Sequence, residues 1–315
     1  MIVTVTLNAA QDRTVSVPNF HMGGRNRAIE SLTLPGGKGV NIARALRRLG
    51  QPVIATGLAG GRVGTYITEE LTAEGVLNDF VRISEESRTS TAVIDPTGVQ
   101  QTEINEVGPT VNEMELSILY EKVRYLSSGA DVFVVAGSLP PSVPQEIYTD
   151  LTELLVKRGV FTVIDAAGPA FRRSIAAGPD LVSPNVREAE EIVGYEFNDD
   201  ADLLEGAKAL IEMGAKAVLI HGEDGCIARL VPGDEERHLT YRAEFPVRTA
   251  VSTIGSGDSL LAGFLAAWIK KATPERALAQ AVAAGAANSL QLGAGVFDLE
   301  DLEAFMRQVV VTALE

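Results

Sequence analysis

The sequence predicts an α/β fold: a mostly parallel sheet with helices on both faces, and a small β-sheet inserted early in the chain. Three observations carry this. From about residue 132 onward, short apolar runs alternate with helical patterns. One of those runs, Val132-Phe133-Val134-Val135, is continuously apolar, as a strand buried on both faces must be. Before it, two pairs of short alternating segments fall near residues 12–33 and 89–106, too polar for the main core and suited to a separate small sheet.

The elements follow in order. Met1-Ile2-Val3-Thr4-Val5-Thr6-Leu7 alternates as a strand does and lacks the basic start of a signal peptide, so a cytoplasmic location is expected. Residues 8–13 read as a polar turn. Residues 14–17 and 28–32 alternate on either side of Met22-Gly23-Gly24-Arg25-Asn26-Arg27 and read as a hairpin. Pro35-Gly36-Gly37-Lys38-Gly39 opens a helix with Val40, Ala43, Leu46 and Leu49 on one face, stopped by Gly50. A strand at 53–56, a loop at 57–64 and a helix to about Glu74 come next. The second inserted pair, 91–94 and 100–104, flanks the turn Asp95-Pro96-Thr97-Gly98. Beyond the strand at 132–135, residues 144–158 are helical and 161–165 form a strand. The region of Ala170 is helical, and Leu181-Val182 is a short strand. A helix spans about 201–213 and a strand 217–220. Thr273 as N-cap and Pro274 at the first helical position start a helix to about Leu292. In such sheets ligands bind beyond the carboxyl ends of the strands, where Gly137-Ser138, Asp165, Asn185 and Gly222 fall.

Composition narrows the function. A chain of 315 residues with 22% charged residues can bury a substantial core and remain soluble. A net charge of −15 argues against nucleic acid and against anionic membranes, since both call for a basic footprint. No apolar run approaches the ~20 residues that span a bilayer. The single Cys226 rules out an internal disulfide and a cysteine zinc site, and His21, His221 and His238 lack metal-ligand spacing.

Two glycine-rich helix entries carry the chemistry. Ser252-Thr253-Ile254-Gly255-Ser256-Gly257-Asp258 runs into an apolar helical stretch. Glycines there let an anion approach the unpaired amides at the positive end of a helix. Asp258 is open to two readings: a residue that caps the helix, or a base that takes a proton from a hydroxyl attacking a phosphoryl group. Pro35-Gly36-Gly37-Lys38-Gly39 lacks Walker A spacing. It reads either as a tight turn or as backbone approaching a polar ligand, with Lys38 and Asn41 as donors.

Five segments, in this order, carry a resemblance: Leu7-Asn8-Ala9-Ala10-Gln11-Asp12, Pro35-Gly36-Gly37-Lys38-Gly39-Val40-Asn41, Ala136-Gly137-Ser138-Leu139-Pro140-Pro141, Pro184-Asn185-Val186-Arg187-Glu188 and Thr253-Ile254-Gly255-Ser256-Gly257-Asp258. Over nearly its whole length the chain resembles the ribokinase-like (PfkB) sugar kinases. It is nearest the branch of 1-phosphofructokinase, tagatose-6-phosphate kinase and the minor 6-phosphofructokinase.

The resemblance implies a single three-layer α/β/α kinase domain over residues 1–315, with a β-sheet lid. Asp258 would be the catalytic base, and the amides of Gly255, Ser256 and Gly257 the anion hole. Asp12, Gly36, Gly37 and Asn41 would hold the sugar, and Arg27, Lys38, Arg88 and Ser138 the sugar or its phosphate. Asn185 and Glu188 match the motif that organises Mg²⁺ and the ATP phosphates, partly through water. Without the match, these two are a capped helix start. Ala284 and Asn288 fall where the family lines its adenine pocket, and Gly222 and Gly225 keep the glycines of a nucleotide loop. Three positions depart from the pattern: Ser252 where many members carry Asp, Ser183 where Lys is common, and Ile220 where Ser or Thr is common. The resemblance thus leaves two ordinary triphosphate contacts, at Ser183 and Ile220, without the usual residue, and His221 is a candidate replacement.

The expected activity is ATP-dependent phosphorylation of a ketohexose monophosphate: fructose 1-phosphate, tagatose 6-phosphate or fructose 6-phosphate. Lids in this branch commonly pair, implying a homodimer. A kinase of an unphosphorylated sugar or nucleoside, or a non-catalytic metabolite-sensing relative, are the alternatives. The first leaves Arg27, Lys38 and Arg88 without a role; the second expects loss of Asp258 or of the glycine turn.

Overall fold

The computed structural model describes residues 1–98, 100–231, 237–246 and 250–314. The chain begins with β1 (Ile2–Thr6), β2 (Ala10–Ser16), β3 (Glu30–Gly36), α1 (Lys38–Arg48), β4 (Val53–Gly60), α2 (Gly61–Ala73), β5 (Leu77–Ile83), β6 (Arg88–Asp95) and β7 (Gln100–Asn105). A regular alternation follows: α3 (Glu113–Leu126), β8 (Val132–Gly137), α4 (Ile147–Lys157), β9 (Phe161–Ala166), α5 (Gly168–Ile175), β10 (Leu181–Val182), α6 (Val186–Val193), α7 (Asp200–Glu212) and β11 (Val218–Gly222). The chain closes with β12 (Gly225–Leu230), β13 (Leu239–Glu244), α8 (Ser256–Trp268), α9 (Pro274–Asn288), α10 (Leu299–Met306) and β14 (Val310–Ala313).

The main sheet has the order β14-β13-β12-β11-β10-β9-β8-β1-β4-β5. It is parallel from β11 to β5 and antiparallel from β11 to β14. β1 and β8 are buried along their whole length, which is why they read as near-continuous apolar runs. Their side chains alternate between two apolar layers. Ile2, Val132 and Val134 join the core built with α1, α2, α8 and α9; Val3, Val5, Phe133 and Val135 join the core built with α3 to α7. This is the expected three-layer α/β/α arrangement.

The small sheet is separate, in the order β3-β2-β6-β7. Its central pair, β2 and β6, is parallel, and each carries an antiparallel partner on its outer side. It forms the expected lid over the carboxyl ends of the main sheet.

Several boundaries differ from the sequence expectation. β2 takes in residues read as a polar turn, so Asp12 and Arg13 are strand residues. β4 and α2 are contiguous where a loop was expected at 57–64. The glycine at 57 serves a close approach: a Cβ there would lie 1.9 Å from the Thr6 carbonyl oxygen. α4 starts at Ile147 and α9 stops at Asn288. β5, α3, α10 and β12 to β14 go beyond the expectation. Among the described residues no helix is long and apolar enough to cross a membrane.

Candidate active site

Beneath the lid, where β1 and β8 end, lies a cavity of about 470 Å³ that Asp12, Lys38, Asn41, Arg88 and Ser138 help to line. Such a volume suits a small polar metabolite.

On its lid side, β2 presents Asp12. A side chain at Gly36 would place its Cβ 1.9 Å from Asp12 Oδ2, so the glycine makes room for the carboxylate. The Gly37 amide donates to Asp12, and burial pushes its carboxyl up to about 6 against the pull of Arg88. Arg88, at the start of β6, donates from Nε to the Asn8 carbonyl (3.2 Å) and from Nη1 to the Glu106 carbonyl (3.2 Å). Burial lowers its pKa, against the charges of Asp12 and Glu106. Asn8 Nδ2 in turn donates to Ser138 Oγ at 3.2 Å. Arg27 is exposed on the connection between β2 and β3 and is not among the residues lining this cavity.

Next to the cavity, beyond Ile254 and Asn41 of its lining, lies the N-terminus of α8. Its N-cap, Gly255, has φ 73°, and a Cβ there would sit 2.3 Å from Ala294 Cβ. The helical ladder begins with the Ser259 amide donating to the Gly255 carbonyl at 2.9 Å. The amides of Gly257 and Asp258 precede it and so have no acceptor within the helix. A Cβ at Gly257 would fall 2.5 Å from His221 Cε1. Ser256 Oγ is buried and unpartnered.

Asp258 is the third residue of α8, and α8 carries no side-chain cap, which removes the capping reading. Its Oδ2 accepts from Asn41 Nδ2 at 2.8 Å. Burial first, then the charge of Asp165, pushes its carboxyl up to about 7, against Lys38 and the Asn41 hydrogen bond. A carboxylate poised near neutrality beside unpaired helix amides can take a proton from a hydroxyl while an anion sits on those amides.

The opposite wall is an ion cluster. Lys38 Nζ donates to Asp165 Oδ1 (2.6 Å) and Glu188 Oε1 (3.0 Å). Burial draws its pKa down, but Asp165, Glu188 and Asp258 outweigh that and hold the ammonium charged. Lys38 therefore stands on both sides of the cleft: it lines the cavity and neutralises carboxylates at the ends of β9 and α6. Asn185 and Glu188 form a reciprocal capping box on α6, the Glu188 amide donating to Asn185 Oδ1 (2.8 Å) and the Asn185 amide to Glu188 Oε2 (3.0 Å).

His221 pairs with Asn185 in an isolated parallel bridge and donates to the Ser183 backbone carbonyl. Burial, then Lys38, pushes its imidazole down to about 4, so it is neutral; its Nε2 is buried and unpartnered. Gly222 and Gly225 form the turn between β11 and β12, where a Cβ at Gly225 would lie 2.0 Å from the Ala243 carbonyl oxygen. Ala284 and Asn288 are fully buried. Ala284 packs against α8 at Gly263, while Asn288 Nδ2 donates to the Ile254 carbonyl at 2.7 Å. Asn288 Oδ1 accepts from Ser259 Oγ (3.0 Å) and the Val296 amide (3.2 Å). In this arrangement Asn288 braces the glycine turn.

Sequence reasoning named Asp165 only as a strand end; an acidic residue closing an apolar strand was the available signal. It missed Arg44, which grips Glu74 with both ends of its guanidinium fork (2.7 and 2.8 Å) and donates to the Ala294 carbonyl.

A sheet-end cleft with a near-neutral carboxylate, unpaired main-chain amides at a helix start and a polyol-sized cavity fits a phosphotransferase acting on a hydroxyl. The chain belongs to the pfkB family of carbohydrate kinases, whose model matches residues 7–301. It is 31% identical over 312 residues to a 1-phosphofructokinase of Borreliella burgdorferi, covering 99% of this chain and 98% of that protein. It is 29% identical over 315 residues to a tagatose-6-phosphate kinase of Staphylococcus epidermidis, covering 99% of each. Among solved structures it is similar to phosphofructokinase-2 from Escherichia coli in complex with substrates and products, with a TM-score of 0.88, 29% identity, and 97% and 98% of the two chains covered. The chain is thus a carbohydrate kinase that uses ATP.

Proposed function

We propose that this kinase moves the terminal phosphoryl group of ATP to a hydroxyl of a ketohexose monophosphate, with fructose 1-phosphate, tagatose 6-phosphate and fructose 6-phosphate as the candidates. The observation that carries the reading is that Asp258, beside free helix amides, is hydrogen-bonded to Asn41, which lines the same cavity as Asp12 and Arg88. Asp12 accepts hydrogen bonds from sugar hydroxyls. Arg88 offers a charged fork to a phosphate, which an unphosphorylated sugar would leave unused. Asn41 Oδ1 is buried without a partner and is a further acceptor for a sugar hydroxyl.

In the reaction the acceptor oxygen forms a bond to the γ-phosphorus as the bond to the β–γ bridging oxygen breaks, leaving ADP. Asp258 takes the hydroxyl proton. The amides of Gly255, Gly257 and Asp258 hold the transferred group, the Ser256 amide already donating to the Thr253 carbonyl at 3.3 Å, and the Lys38 ammonium, anchored by Asp165 and Glu188, supplies positive charge at the wall of the cleft.

The residues fit a nucleotide. Ser183 Oγ, His221 Nε2 and Ser256 Oγ are buried polar atoms left unpartnered near the glycine turn. Among the described residues no three His, Cys, Asp or Glu side chains gather to hold a metal ion by themselves. Mg²⁺ would therefore come with the ATP phosphates, with Glu188 holding its water shell. When bound, it supplies charge neutralisation on the phosphates.

The reading includes a homodimer through the lid and a cytoplasmic location, where sugar phosphate and ATP meet. Met22, Ile29, Ile104 and Val107, all in or beside the lid, are large apolar residues left exposed, with Met22 at 92%. A coupled assay with ATP against the three ketohexose phosphates and the free sugars tests the function. Comparable rates on free fructose or tagatose would overturn the substrate class.

A further inference from the structure

A second cavity, of about 750 Å³, opens between the ends of α1, α8, α9 and α10. Arg48, Lys270, Arg276 and Arg307 line it, against one carboxylate, Glu303. In a chain with a net charge of −15, four cations at one opening run against the field of the whole molecule. Among the described residues Lys270, Arg276 and Arg307 carry neither an ion pair nor a side-chain hydrogen bond, although carboxylates are in excess; only Arg48 is engaged, donating to the Phe297 carbonyl at 2.6 Å.

Helix electrostatics accounts for only part of this. Arg48, Lys270 and Arg307 stand at or just past the carboxyl ends of α1, α8 and α10, where a cation suits the dipole. Arg276 is the third residue of α9, at the positive end of its own helix, where a cation is disfavoured. Its placement calls for an external anion. One wall of the cavity is apolar, formed by Leu302 and Met306.

From this we infer a second ligand site, for a phosphorylated small molecule whose phosphoryl oxygens take the Arg276 and Arg307 forks and whose carbon skeleton rests on Leu302 and Met306. The inference does not depend on the proposed substrate. Its position gives it reach: α1 and α8 carry Asn41 and Asp258 at their far ends, and α9 carries Asn288, which braces the glycine turn. At helical rise Asn41 lies roughly 10 Å, and Asp258 and Asn288 roughly 18 Å, from the cavity's cations on the same helices.

Inorganic pyrophosphate is the probe. It is titrated calorimetrically, without divalent metal, into the wild-type chain, an Arg276→Gln/Arg307→Gln double variant and a Lys270→Gln variant. The wild type should show a saturable site that weakens roughly ten-fold or more in the double variant. Lys270→Gln should weaken the same site by less. These side chains are exposed and outside the catalytic cleft, and their dipole terms are small, so the melting temperature without probe should change only slightly. Pyrophosphate that binds only at the catalytic glycine turn would give the same isotherm in all three proteins. That result, or no binding to the wild type, would overturn the inference.

Discussion

Replacing Asp258 with Asn separates chemistry from stability, because the two should move in opposite directions. Asn keeps the shape and can still accept from Asn41, but it cannot take a proton. The turnover number should fall by roughly 10²–10⁴, with substrate KM changing much less. Stability should rise. The carboxyl of Asp258 is pushed from 3.8 to about 7 by burial and by Asp165, so the folded protein holds that proton more tightly than the unfolded chain. A raised carboxyl contributes stability below pH ~4 and loses it as pH rises through about 7. Three pKa units correspond to roughly 4 kcal/mol, an upper bound for the ionised form at pH 8. Asn carries no such cost. Melts of the two proteins should therefore diverge between pH 5 and pH 8, with the variant the more stable at pH 8 by several degrees. The wild-type kcat should rise with pH through about 7 as the base ionises. A variant with near-wild-type kcat, or one less stable than wild type at pH 8, would refute the assignment.

Arg88→Ala removes a charge-assisted contact of about 1.5–3 kcal/mol, so the sugar-phosphate KM should rise about ten-fold or more, read from Michaelis curves. An unchanged KM would show that the phosphate sits elsewhere. Gly36→Ala drives a methyl into the Asp12 carboxylate, whose Oδ2 lies 1.9 Å from the new Cβ. Sugar KM should rise about ten-fold while nucleotide affinity, followed by fluorescent ATP titration, holds; equal losses of both would mean a wider collapse. Light scattering at micromolar concentration should report twice the chain mass, and Ile104→Asp on the exposed lid strand should shift it toward the monomer. A strict wild-type monomer would rule out the lid dimer.

The interior parallel strands were legible because burial on both faces removes the polar residues that blur a pattern. The strands missed fail for the opposite reason. β5, at the edge of the main sheet, buries only Val81 and Ile83 and reads as mixed sequence. The amino end of β2 reads as a turn because its polar residues Asp12 and Arg13 serve a cleft and not a core. The loop expected at 57–64 shows how glycine misleads: its local signal is the same for a turn and for a strand pressed against a neighbour's backbone. The glycines of the Gly255–Asp258 turn mark a helix entry with open amides, yet nothing in the linear pattern shows that Asp165 and Glu188 converge on Lys38 from two different elements.

That convergence bears on what α1 does. Lys38, Asn41 and Arg44 recur at three-residue spacing, so they share one face of the helix. Each is tied to a different piece of the cleft. Lys38 holds Asp165 and Glu188 from the sheet side; Asn41 holds Asp258 on α8; Arg44 holds Glu74 and the carbonyl of Ala294, the residue against which Gly255 packs. A polar stripe on a helix whose residues from Gly39 to Leu46 are all buried costs stability unless it is paired; Lys38, Asn41 Nδ2 and Arg44 all donate within the cleft, and Asn41 Oδ1 alone is left open, for a ligand. Reading Lys38 and Asn41 only as donors to a ligand therefore takes half of their role. Without any substrate, they already tie Asp258 and the charged wall to one element. The gap between Asp258 and the Lys38 cluster is thus set by the spacing of residues along a single helix, while Asp12 and Arg88 stand on the separate small sheet; on the proposed reading, the groups of the transfer are positioned independently of those that hold the sugar.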